Sequence, residues 1–106
     1  MLSLQTQQDA MGRMTDLIPV SDSSMALILA AGVGKQVTVP AGARNVLFSA
    51  TGNFWLDSRG PATLPTGDVL NGSAPELNPS GRMVQPGQTL GLVAPAACAV
   101  NLCFFG

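Results

Sequence analysis

The stretch Ala97-Cys98-Ala99-Val100-Asn101-Leu102-Cys103-Phe104-Phe105 decides the fold. Side chains of an extended strand alternate between its faces, so Val100, Leu102 and Phe104 share one side. Ala99, Cys103 and Phe105 on the other side are also mostly apolar, which reads as a strand covered twice. Such a strand is either central in a sandwich or pressed against another subunit. Upstream, Gln88 to Val93 reads as a second strand, joined to the first through Ala94-Pro95-Ala96. Asn45 to Ala50 supplies another, with Val46 and Phe48 on one face, and Gly52-Asn53 then leads into Phe54-Trp55-Leu56-Asp57. Before them, Val39-Pro40-Ala41-Gly42 offers Pro at the second and Gly at the fourth position of a β-turn. Ala26 to Ala31 and Gln36 to Val39, separated by Gly32-Val33-Gly34-Lys35, read as a hairpin.

Two regions depart from this pattern. Residues 1–24 are polar and mixed. Met11, Met14, Leu17 and Ile18 match a helical face, while Pro19 and Ser21-Asp22-Ser23-Ser24 end it, and the segment is assigned as an N-terminal arm. Residues 57–82 hold Pro61, Pro65, Pro75 and Pro79 with Gly60, Gly67, Gly72 and Gly81. Prolines remove backbone donors, so this is read as one long loop, with a short pairing around Asp68-Val69-Leu70 closed by Asn71-Gly72. The expectation is an all-β chain: a single-domain antiparallel β-sandwich or jelly-roll-like barrel over residues 25–106, an N-terminal arm over 1–24, and a long Pro/Gly-rich loop over 57–82.

Charge is scarce. Five basic and six acidic side chains serve 106 residues, 46% of which are hydrophobic, and there is no histidine. Charged residues are 10% of the chain against roughly 25% in ordinary soluble domains, so much of the exterior is expected to meet neighbours. Arg13, Lys35, Arg44, Arg59 and Arg82 are scattered singly, which argues against nucleic acid as a partner. Without histidine the usual serine or cysteine relay cannot be assembled, and the dispersed acids do not make a metal loop. No enzyme activity, cofactor, metal or small-molecule substrate is expected.

Cys98 and Cys103 lie on opposite faces of one strand, about 16 Å apart, too far to bond to each other. Free thiols in a reducing cytosol are the simpler reading. Met25-Ala26-Leu27-Ile28-Leu29-Ala30-Ala31 is too short to span a bilayer, and Asp16 and Asp22 precede it where a signal peptide is basic. A membrane partner is therefore not expected. Gly32-Val33-Gly34-Lys35 lacks both the earlier glycine and the following Ser or Thr of a phosphate loop.

Candidate contact residues follow from residue type. Trp55, the single tryptophan, is a core residue or, with Arg59, an anchor for a partner subunit. Glu76 and Arg82 bracket a loop segment that a salt bridge between them would pin. Phe105, with Met11, Met14, Leu17 and Ile18 of the arm, completes the set of expected protein-interface residues.

Several segments in order resemble small virion proteins of tailed bacteriophages: Val37 to Arg44, Val46 to Thr51 with Phe54-Trp55, Glu76-Leu77-Asn78-Pro79 with Arg82, and Leu92 to Cys98. The likeness covers roughly residues 35 to 105. It implies a capsid decoration or cement protein, made in the bacterial cytoplasm and carried on the exterior of the virion capsid. The major capsid protein would be its partner, and such proteins often form homotrimers. Two other classes compete with this reading. One is a receptor- or glycan-binding module of a tail fibre or tail tip, the other a head-tail joining ring protein.

Overall fold

A computed structural model describes residues 20–106. Eight strands form: β1 (Ser23–Leu29), β2 (Lys35–Thr38), β3 (Asn45–Ala50), β4 (Trp55–Asp57), β5 (Glu76–Leu77), β6 (Gly81–Met83), β7 (Thr89–Val93) and β8 (Cys98–Phe105). Among the described residues there is no helix. The strands make two four-stranded antiparallel sheets, in the orders β1-β8-β3-β6 and β2-β7-β4-β5. The described residues are thus all-β, with two antiparallel sheets compatible with a β-sandwich.

Each sheet takes strands from both halves of the chain. β1 pairs with β8, β2 with β7, β3 with β6 and β4 with β5, all antiparallel, so the pairs nest around the segment between β4 and β5. Residues 58–75 are therefore the tip of one long, doubled-over hairpin.

The core lies between the sheets and follows strand alternation. Leu27 and Leu29 of β1, Val46 and Phe48 of β3, Leu90 and Leu92 of β7, and Val100, Leu102 and Phe104 of β8 are all buried. Leu56 of β4 and Phe54 just before it join them, with Phe54 tilted against Phe48 at 5.8 Å between ring centres. β8 runs between β1 and β3, which accounts for its apolar length. Its outer face is covered unevenly: Ala99 and Cys103 are half-buried, Asn101 is exposed and Phe105 is buried. Both cysteines are free thiols, Cys98 buried and Cys103 half-buried.

Four expectations are corrected. β1 and β2 are not a hairpin, since they belong to different sheets. The turn between them closes with Val33 N donating to Ala30 O, and Gly32 sits at φ 72°, the third position of a type II turn. Type II geometry splays the flanking strands instead of keeping them paired. Gly32 N also donates to Ala94 O at 2.8 Å, carrying the chain across to the other sheet.

The second correction shifts a turn by one residue. Ala43 N donates to Pro40 O, so Gly42, at φ 82°, is the third residue of the turn, where a positive φ is required. Third, the loop of 57–82 is interrupted by β5 and β6, and Asp68-Val69-Leu70 forms no strand. Fourth, β1 begins at Ser23, inside the segment assigned to the arm, where Ser21 Oγ lies 2.8 Å from the carbonyls of both Ser23 and Phe104, shares its one proton between them and starts the pairing with β8.

Candidate functional site

Four of the eight charged side chains among the described residues, Asp57, Arg59, Glu76 and Arg82, converge where the two sheets come together at their short edge strands. β5 is the outermost strand of one sheet and β6 of the other. Glu76 pairs with Leu56, and Arg82 with Val46, both of which face the core, so the two side chains point into the gap between the sheets. There Arg82 Nε donates to Glu76 Oε2 at 2.8 Å, and Arg82 also donates to Gly81 O. The expected salt bridge thus forms, and it joins one sheet to the other. Both side chains are about half exposed, so the pair contributes about 0 to 1 kcal/mol and mainly fixes geometry.

Arg59 acts in a similar way further from the core. Its Nε donates to Asp57 Oδ1 at 3.2 Å, and its guanidinium reaches the carbonyls of Gly72 and Ser73. One planar, forked cation thereby ties the start of the 58–75 segment to its end. Asn71 closes the returning limb by accepting from Ser73 N and Ser73 Oγ, with Gly72 at φ 86°. Asn78, at φ 48°, accepts from Phe54 N, donates its own N–H to Phe54 O and donates its amide to Asn53. Asn tolerates this left-handed backbone better than other side-chain-bearing residues.

The two ion pairs border a cleft of about 330 Å³ with the buried Leu56, Val84 and Leu90 in its lining and Asp57, Arg59, Glu76, Arg82 and Gln88 around it. Each of its four ions has an opposite charge as partner. No aromatic ring lines it. Among the described residues, no group of three or more His, Cys, Asp or Glu converges anywhere. The arrangement is one of mutual neutralisation and loop bracing.

Arg59, Glu76 and Arg82 are therefore brought together, and the other expected contact residues are not. Trp55 is half-buried on the outer face of its sheet, beside Leu77 and Val93, and does not join the main core. Arg59 turns to Asp57 and the loop carbonyls. Phe105 is a correction: at 2% exposure it is folded into its own chain and has no surface to offer a partner. Met11, Met14, Leu17 and Ile18 lie outside the described residues.

Two features are absent from the sequence-based expectations. One is the loop tip, where Leu70 is 90% exposed beside the partly exposed Val69. The other is the outer face of the first sheet. Strand alternation and register place Ser24, Ala26 and Ile28 of β1, Ala99, Asn101, Cys103 and the buried Phe105 of β8, Asn45, Leu47 and Ser49 of β3, and Met83 of β6 on that face. None carries a formal charge, and Ile28 and Met83 are 66% and 87% exposed. Its one signal in the sequence is the period-two run Ser24-Ala26-Ile28, whose lack of charge reads equally well as core.

Comparison with protein-family models, with curated proteins and with solved structures finds no match to this chain. Among the described residues, no helix is long and apolar enough to cross a membrane.

Proposed function

We propose that the chain is a structural virion protein that binds the outer surface of an assembled phage capsid and cements it, acting by binding and not by catalysis. The observation that carries the reading is the uncharged outer face of the β1-β8-β3-β6 sheet, with Ile28 and Met83 exposed on it. Interface centres are depleted of charge, because an ion buried without a partner is costly. The nested strand order supports, by fold-level analogy, the finer assignment of the sandwich as a jelly roll, an architecture used by viral coat and lectin domains among others.

The mechanism is linkage. A protein that binds the assembled shell and not its separated subunits stabilises the shell by mass action, and many symmetry-related copies make small gains collective. The braced 58–75 segment with its exposed Leu70 is a second contact, and the residues before β1, 1–22, are the candidate arm. A glycan-binding module stands second, since the cleft offers no aromatic platform for a sugar ring.

Mixing the purified protein with undecorated, expanded heads tests the proposal. Co-sedimentation is expected, with loss on Leu47→Asp, which puts a charge in the uncharged face. Failure to bind any head, alongside specific adhesion to host cells, would overturn it in favour of the fibre module. Unchanged binding after removal of the first 20 residues would remove the arm from the mechanism.

A further inference from the structure

The two sheets end in four edge strands, and three of them carry a charge within the strand: Lys35 on β2, Glu76 on β5 and Arg82 on β6. Those three are also short, at four, two and three residues. β1 differs on every count. Its seven residues, Ser-Ser-Met-Ala-Leu-Ile-Leu, contain no charge and no proline, and among the described residues no strand pairs along its outer side. Proteins normally blunt exposed edges with charge, proline or brevity, because an open row of backbone donors and acceptors recruits another strand. β1 carries none of these devices.

We infer that β1 is a self-pairing edge: it adds to β1 of a second copy in antiparallel register about a twofold axis centred on Ala26, making one continuous eight-stranded sheet. Charge selects the occupant. Antiparallel self-pairing brings the residue on the twofold axis against its own copy and keeps its neighbours close to theirs, so any ion close to the strand centre would meet the same sign. β1 is the edge without one.

The register also fits. Centring on Ala26 lets all seven residues find partners and keeps the faces matched. Met25 comes opposite Leu27 of the second copy on the core side. Ser24 comes opposite Ile28 of the second copy on the outer side, and the uncharged face continues across the junction. This inference goes beyond the cement reading, and it places an even-numbered species in solution where the family resemblance implies a trimer.

The test uses the full chain in sedimentation velocity over a range of concentrations. A concentration-dependent dimer is expected. Ala26→Lys, at an exposed outward position on the axis, should raise the apparent dissociation constant about tenfold or more by placing like charges directly opposite each other, and Ile28→Lys should raise it less, by setting a cation opposite Ser24 in place of an exposed apolar side chain. Gln36→Lys on the already charged β2 edge should leave it unchanged.

Ala26→Cys combined with Cys103→Ser should form an intermolecular disulfide on mild oxidation, since directly opposed residues of an antiparallel pair lie within bonding reach. Circular dichroism of each variant checks that the fold is kept. A wild-type chain that stays monomeric at all concentrations, a strict trimer, or a dimer indifferent to both lysines would each overturn the inference. If the wild type is monomeric and Ala26→Lys abolishes head binding, the edge pairs with a shell protein instead, which also overturns it. A lost dimer with retained head binding supports it and leaves the cement reading intact.

Discussion

The two sheets share a core and a strand count, yet their outer faces are finished in opposite ways. On the β2-β7-β4-β5 sheet the chain provides its own cover: the Gly60-Pro61-Ala62 segment crosses Gly91 of β7 so closely that a side chain there has no room. Ala62 is 4% exposed there and Val93, two residues along β7, is 1% exposed, while Leu77 at the β5 edge of the same face stays 52% exposed. On the β1-β8-β3-β6 sheet the described residues leave Ala26, Ile28, Asn101 and Met83 in the open, with no charge among them. A small apolar protein can cover a sheet with its own loop or leave it open, and among the described residues this chain does one on each side.

Gly91→Ala is the substitution that should break this contrast most severely. An added Cβ would overlap the Gly60 carbonyl oxygen and crowd Ala62 N and Pro61 C, all backbone atoms that cannot rotate away. The covering segment must lift or β7 must shift, at about 3 kcal/mol, near the top of the range for overpacking. Urea denaturation should show the loss as a lower midpoint, and limited proteolysis should open the 58–75 segment. An unchanged midpoint would mean that the segment does not lie on β7.

Arg59→Ala should have the next largest effect, for it removes the fork that joins Asp57 to the carbonyls of Gly72 and Ser73. These bonds are exposed to water, so the stability loss is about 1 kcal/mol. The sharper readout is faster cleavage between residues 60 and 75 with the rest of the chain intact. Glu76→Gln should cost less, about 0 to 1 kcal/mol, because the Arg82 pair is half exposed and water already screens it. Raising the salt concentration should shrink the difference between wild type and variant, which would not happen if Glu76 acted through packing.

Much of this contrast is hidden from sequence for physical reasons. Long strands with strict alternation are legible: Asn45 to Ala50 matches β3, and Val100, Leu102 and Phe104 face the core. β5 and β6 are not, because two- and three-residue strands amid Pro79, Gly81 and Asn78 owe their pairing to distant partners in β4 and β3. Gly32 and Gly34 suggest a tight reversal between β1 and β2, whereas a single glycine sets a splaying turn there. In the candidate site, scarcity of charge marks out Arg59, Glu76 and Arg82, and these meet at one cleft. An uncharged outer face has no such marker, since Ala26 and Ile28 read the same in a core and on a surface meant for contact.

The smallest expected effect sharpens the contrast from the other side. Ser49 projects from the outer face of β3 opposite Asn101 and is exposed, so Ser49→Val adds bulk into open space. Valine suits a strand, and surface substitutions away from special features stay within about 0.5 kcal/mol. Thermal denaturation of the free protein should hardly move, in contrast with the loss at Gly91. The same variant should alter co-sedimentation with heads, because a partner seated on this face must accommodate a bulkier, branched side chain. A neutral change in stability together with altered binding separates a face kept for a partner from one merely left bare. A large loss of stability would mean that the chain covers this sheet too, and the asymmetry between the two sides would disappear.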